Sequence, residues 1–173
     1  MGKDVMTIRP ASKDDASSLA ALSLEVWIGT YLGKGVSKVF ADYALSAFTT
    51  GKFEALIDDE NEIILVSDNS EGIDGFVRVT LHSPAPVENC PDTEVATLYV
   101  QPRHQQKGIG TGLLDEVCRL CAGRGCEGVW LAVNSENADA ITFYHRLGFE
   151  NEGQTVFRIG DQPYPNEVMV KRL

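Results

Sequence analysis

Residues 98–114 read LYVQPRHQQKGIGTGLL, and the fold turns on how they are read. Leu98–Val100 is apolar and reads as the end of a strand. Pro102 then removes a backbone donor and stops strand pairing. A polar, basic stretch follows, and Gly108 and Gly110 stand one residue apart where a helical pattern opens. Glycines there let the backbone approach a ligand in conformations that side chains disfavour. The helix behind them offers unpaired N–H groups and the positive end of its dipole, which suit a phosphate or pyrophosphate. Arg103 and Lys107 add charge. The stretch reads as an anion cradle at a strand–loop–helix junction; on spacing alone it reads equally as a helix start with glycines for packing.

Two common phosphate cradles do not match. A P-loop needs Gly-Lys followed by Ser or Thr, whereas the Gly-Lys pairs here precede Asp4, Gly35 and Phe53. A dinucleotide fingerprint needs a third glycine where Leu113 stands.

Outward from the cradle, the chain alternates helical and extended patterns. MTIRPAS reads as a first strand ending at Pro10. Ser12 with Asp15 three residues on has the spacing of a capping box, and Leu19, Leu22, Val26 and Trp27 form the apolar stripe of the helix it opens. Apolar residues at 36, 39, 40, 43 and 47 predict a second helix, and TGKFEALIDDE a short third. EIILVS and GFVRVTL read as a hairpin across DNSEGIDG. HSPAPVENCPD, with its three prolines, is a loop, and TEVATLYV is a strand. The helix from Gly108 is expected to close at Gly123 or Gly125. GVWLAV predicts a strand, ENADAITFYHRLG a helix stopped by Gly148, and TVFRIG with NEVMV a terminal antiparallel pair. With 173 residues and no repeat or linker pattern, a single α/β domain over 1–173 is expected.

Composition narrows the class of function. The formal net charge of −10 argues against a nucleic-acid partner, which favours a basic face. No apolar run approaches the roughly 20 residues of a membrane span. The start, MGKDVMTIRP, lacks the pattern of a signal peptide, and Met6 stands where myristoylation wants Ser or Thr. A cytoplasmic protein is expected. Cys118 and Cys121 have CxxC spacing, but they fall inside a helical pattern and no second pair completes a zinc set. With Cys90 and Cys126 they read as reduced, mostly buried thiols. His82, His104 and His145 lack metal-ligand spacing and read as surface residues, so no metal is expected.

A second stretch carries further information. Residues 129–150, VWLAVNSENADAITFYHRLGFE, place a strand, Asn137, a helix ending in FYHRLGF and the start of another strand. Together the two stretches resemble the Gcn5-related N-acetyltransferase (GNAT) family. Its acetyl-CoA signature, Gln or Arg, two residues, Gly, one residue, Gly or Ala, stands here as Gln105, Gly108 and Gly110. LYVQP before it and the N…A…FY…GF pattern after it also fit. Gln106 departs from the pattern, because Gly or Arg is more usual there. The resemblance covers about residues 93–150, and the tail VFRIGDQPYPNEVMVKRL looks like that of bacterial spermidine/spermine acetyltransferases. The amino-terminal helices fit that subfamily only loosely.

The resemblance implies a GNAT-like α/β fold: a central mixed, mostly antiparallel twisted sheet of about six to seven strands, flanked by about four helices. It implies acetyl-CoA as co-substrate, held by the backbone of Leu98, Tyr99 and Val100, by Gln105, Gln106, Lys107, Gly108, Ile109, Gly110 and Thr111, and by Asn137 and Tyr144. Asn137 is also a candidate helix N-cap, and the two roles can coexist. Tyr144 would give its proton to the departing CoA sulfur, although Phe143, Tyr144 and Leu147 also read as an aromatic core face. Acetyl transfer needs a neutral amine, and an alkylammonium with a pKa of about 10.4 is mostly charged at neutral pH. Glu94, six residues before Val100, matches a glutamate that serves as base in some members; it also reads as an exposed strand glutamate. A water relay is the alternative base. The Trp27–Tyr31 region is a candidate lining for the acceptor site.

The expected activity is direct acetyl transfer to a primary amine: a polyamine first, another small amine second, a protein N-terminus or lysine third. The other class of reading is a CoA-binding sensor without turnover. The partners implied are acetyl-CoA and a small-molecule amine, with neither nucleic acid nor membrane, and a homodimer is compatible with them.

Overall fold

β1 (Thr7–Pro10) pairs antiparallel with β2 (Glu62–Asp68), Thr7 opposite Asp68 and Pro10 opposite Leu65. This computed structural model describes residues 6–173, so the reading of the amino terminus falls partly outside the described residues. The chain forms two compact units, one running to Arg78 and including Thr97–Leu114, the other comprising Val79–Ala96 and Asp115–Leu173.

In the first unit, a 3-10 turn at Lys13–Asp15 leads into α1 (Ala16–Tyr31). The capping relationship read from the sequence is present: the Asp15 carboxylate accepts from the Ser12 N–H at 2.7 Å. Arg9 reinforces it by donating to Asp15 at 2.8 and 2.9 Å and to Asp68 at 2.9 Å, which joins β1, the start of α1 and β2. The expected stripe of α1 is the one buried: Leu19, Leu22, Val26 and Trp27. Leu19 and Leu22 pack with Phe53, Ile64, Val66 and Phe76 in one cluster. Each large side chain fully buried there contributes about 1.5–3 kcal/mol of transfer free energy.

α2 (Lys38–Ala47) is capped by Ser37, and α3 (Thr50–Asp58) by Thr49, whose Oγ1 accepts from the Lys52 N–H at 3.2 Å. The expected stripe of α2 is only partly right. Val36 precedes the helix and Val39 lies on it, and both are exposed; Phe40 and Tyr43 are half-buried and Ala44 is the buried residue. What decides the inward face is aromatic packing: Tyr43 stacks on Trp27 at 5.2 Å and Phe40 lies 5.8 Å from it. β3 (Ile73–Thr80) follows β2 across the expected turn.

β4 (Glu94–Val100) runs from the second unit into the first, and α4 (Ile109–Gly123) runs back from the first into the second. In the second unit, α4 closes in a Schellman motif: Cys126 N–H bonds to Cys121 O and Gly125 N–H to Ala122 O, both at 3.0 Å. Gly125 has φ +81°, so it, not Gly123, is the closing glycine. β5 (Gly128–Asn134) lies parallel to β4, with Glu94 opposite Trp130, and antiparallel to β7 (Gln162–Arg172). Between them comes α5 (Ala138–Arg146), then β6 (Glu150–Ile159), which turns at Gly160 into β7. This terminal pair is longer than the sequence pattern indicates, because β7 hydrogen-bonds on both sides, to β5 and β6. The strand order is β1-β2-β3-β4-β5-β7-β6, one mixed sheet.

The thiols differ from expectation. All four are free, but only Cys121 is buried, and its environment pushes its pKa up to about 12; the others are part-exposed. Among the described residues no helix is long and apolar enough to cross a membrane, and no cluster of His, Cys, Asp or Glu could hold a metal ion.

Candidate active site

The glycine stretch folds as the junction its sequence indicates. Gln101 follows β4, its N–H donating to Asp74 O of β3 at 2.9 Å. Pro102 opens a 3-10 turn, Pro102–His104, where its missing N–H costs nothing. Gln105 donates from Nε2 back to Val100 O at 3.3 Å, folding the loop onto the strand end. Gln106 and Gly108 then take left-handed backbone angles, φ +63° and +84°. α4 begins at Ile109, and its first helical bond runs from Gly112 N–H to Gly108 O at 2.9 Å. The N–H groups of Gly108, Ile109, Gly110 and Thr111 therefore have no partner within the helix. A Cβ built on Gly108 would meet nothing within 4 Å, and Gln105–Gly108 are exposed.

That geometry fits a pyrophosphate: an exposed left-handed turn, free amides and a helix N-terminus. Lys107 is exposed beside it, with Nζ 3.4 Å from His104 Nδ1. Arg103 is exposed too, but its guanidinium lies 3.2 Å from the Glu25 carboxylate. The departure at Gln106 has a structural meaning. It occupies a conformation in which a glycine would be free of steric cost.

Leu98, Tyr99 and Val100 are part-buried. Tyr99 turns its ring into the first unit, 5.7 Å from Phe76 and 6.4 Å from Phe48. Thr97, just before them on β4, lines a cavity of about 360 Å³ with Phe48, Lys52, Phe53, Leu56 and Asp59. Arg78, also at its wall, is paired with Glu62 at 3.2 Å. Trp27 is buried at the centre of an aromatic group that includes Tyr31, 5.0 Å away.

In the second unit, Glu94 is half-buried at the start of β4 and accepts from Ser83 Oγ at 2.8 Å. Ser83 is itself held there, since its carbonyl accepts from Trp130 Nε1 at 2.8 Å. Asn137 is the N-cap of α5: Oδ1 accepts from the Ala140 N–H at 3.1 Å. Tyr144 stands two turns further along that helix, packed edge-on against Phe143 at 5.3 Å and Phe149 at 5.6 Å. Burial pushes its phenol up to about 12, so the group stays a neutral O–H donor through the physiological range. Of the histidines, His82 and His145 are exposed and His104 is half-buried.

Ser83 and Glu25 are absent from any sequence-level reading of the site. Their partners lie 11 and 76 residues away, and no local motif marks either.

The chain is similar to known proteins. Residues 30–149 fit the acetyltransferase (GNAT) family. An uncharacterized N-acetyltransferase of Mycobacterium tuberculosis is 26% identical over 159 residues, covering 92% of this chain and 98% of that protein. The ribosomal protein bS18-alanine N-acetyltransferase of Escherichia coli is 40% identical over 57 residues, 31% of this chain and 38% of its own. The crystal structure of PaiA N-acetyltransferase from Thermoplasma acidophilum in complex with coenzyme A aligns with a TM-score of 0.80 at 22% identity, covering 98% of this chain and 99% of that one, a likeness of fold.

Proposed function

The chain belongs to the acetyltransferase (GNAT) family and is an acetyl-CoA-dependent N-acetyltransferase, and we propose that it acetylates a small primary amine, a polyamine before others, with residues 1–173 working as one domain. The observation that carries the site is the cradle: unpaired amides from Gly108 to Thr111 behind an exposed left-handed turn. In this reading the pyrophosphate of acetyl-CoA lies on those amides, with Gln105, Gln106 and Lys107 around it. The backbone of Leu98–Val100 hydrogen-bonds the pantetheine and the acetyl oxygen, an oxyanion-type contact. Asn137 adds a bond to the CoA arm while it caps α5.

Acetyl-CoA supplies a thioester as the acyl donor; the chain moves the protons. Glu94 takes a proton from the ammonium, directly or through water, and Ser83 holds one carboxylate oxygen so that the other stays available. Tyr144 donates from a hydroxyl that burial keeps protonated, and the thiol leaves neutral as the C–S bond breaks. The second proton that the nitrogen loses on becoming an amide restores the Tyr144 hydroxyl. Transfer is direct, so the cysteines have no covalent part.

The polyamine preference is supported by the acidic chain and by the tail's resemblance noted above. The cavity over Thr97 offers apolar walls from Phe48, Phe53 and Leu56 for methylene spacers, with Asp59 as a carboxylate for a second ammonium and Lys52 opposing it. The second reading, a protein amino terminus, is favoured by the 40% identity to the bS18-alanine enzyme. A panel of spermidine, spermine, monoamines, lysine and an alanine-terminated peptide, read by thiol release from acetyl-CoA, separates them. A higher kcat/KM for the polyamines, with the gap narrowing as salt screens exposed charges, is the expected result. Higher kcat/KM for the peptide would move the assignment to proteins, and no thiol release with any acceptor would favour a CoA-binding sensor.

A further inference from the structure

Glu25 lies on α1, far in sequence from the acetyl-CoA signature, and its carboxylate holds two residues of the loop that leads into it. Oε2 accepts from Gln101 Nε2 at 3.0 Å, and Oε1 lies 3.2 Å from the Arg103 guanidinium. Gln101 is thereby pinned at both ends, because its own N–H is bonded to Asp74 O. Arg103, otherwise exposed, sits two residues before Gln105.

We propose that Glu25 is a positioning residue for acetyl-CoA, acting through Gln101 and Arg103 to preorganise the pyrophosphate loop. The role rests on the reading of Gly108–Thr111 as the pyrophosphate cradle. Residues 101–108 need such help. The segment contains two left-handed residues, Gln106 and Gly108, and its own anchors are few: Gln105 to Val100 O, and the 3-10 turn. Ordering such a loop costs conformational entropy, and whatever the free protein has already ordered is not lost again on binding. The Glu25 fork supplies that order from a helix that Leu19, Leu22 and Val26 anchor in the core. One of its two contacts is a charge-assisted hydrogen bond to a neutral amide, and the other is a part-exposed ion pair of modest strength.

The competing possibility is that Glu25 merely neutralises Arg103, in which case its loss frees a cation for phosphate. Calorimetry with acetyl-CoA and steady-state kinetics on Glu25→Ala, Glu25→Gln, Arg103→Ala and the Glu25→Ala/Arg103→Ala pair decide between them. Alanine is the best helix former, so α1 is not weakened by the change. Glu25→Ala is expected to raise both Kd and KM for acetyl-CoA by about three- to tenfold, with kcat within about twofold. Glu25→Gln should recover part of the loss, because its amide oxygen still accepts from Gln101. The double variant should lose less than the sum of the singles, as groups acting through one contact do. Unchanged or tighter acetyl-CoA binding by Glu25→Ala, alongside lost binding in Gly110→Glu, overturns the positioning role and leaves the cradle intact. Unchanged binding in a folded Gly110→Glu overturns the cradle and the positioning role with it.

Discussion

Ser83 donates its hydroxyl hydrogen to Glu94, Oγ to Oε2 at 2.8 Å, across the loop that separates β3 from β4. The bond fixes the carboxylate in one orientation at the first residue of β4, opposite Trp130. If Glu94 is the base, Glu94→Gln keeps the shape and removes the proton acceptor, so kcat should fall by about 10²- to 10⁴-fold. Ser83→Ala keeps the carbonyl that accepts from Trp130 and should cost severalfold in kcat with KM for acetyl-CoA unmoved. Wild-type turnover in Glu94→Gln would mean that water takes the proton unaided.

Tyr144→Phe keeps the contacts with Phe143 and Phe149 and deletes only the hydroxyl. Turnover should fall by about ten- to ten-thousandfold, with the melting temperature nearly unchanged at neutral pH. Stability in alkali gives an independent readout. The folded phenol has its pKa raised from 10.0 to about 12, so folding favours the protonated form. That contribution is complete below the unfolded value and is lost as pH rises through the folded one, about 3 kcal/mol over the interval. Denaturant titrations from pH 9 upward should therefore show wild type losing stability faster than Tyr144→Phe.

Gln106 holds φ +63° without being glycine. Gln106→Gly removes the steric cost of that conformation while making the unfolded chain more flexible. The first effect should exceed the second, for a gain of about 0.5–1 kcal/mol measured by urea unfolding. A loss of stability would show that the Gln106 side chain contributes more than its backbone costs.

Asp15 should set the acid limit of the first unit. Arg9 hydrogen-bonds it, and with the Ser12 N–H holds its pKa down from 3.8 to about 2. The stability this provides is present above the unfolded value and is lost as pH falls through the folded one. Asp15→Asn should be less stable than wild type at neutral pH by about 2 kcal/mol, and the gap should close between pH 4 and pH 2. A gap independent of pH would assign the loss to capping geometry instead of charge.

Local chemistry made much of this protein legible in its sequence. The stripe Leu19, Leu22, Val26 and Trp27, the caps at Ser12 and Asn137, and the strand–loop–helix junction at 98–114 each depend on residues a few positions apart, so periodicity and spacing reveal them. The proposed cradle at Gly108–Thr111 draws on this class of signal, because a helix start carries its free amides wherever it is placed. Tertiary structure decided what distant partners decide. Val39 and Phe40 are both apolar neighbours on α2, and only the position of Trp27 determines that one is exposed and the other packed. The choice of Gly125 over Gly123 followed from which carbonyls of α4 remained to be satisfied. Glu94 is tied to Ser83, and Glu25 to Gln101 and Arg103, by contacts between residues distant in sequence. Hydrogen bonds of that kind join segments brought together only by burial of the core, so no local pattern encodes them.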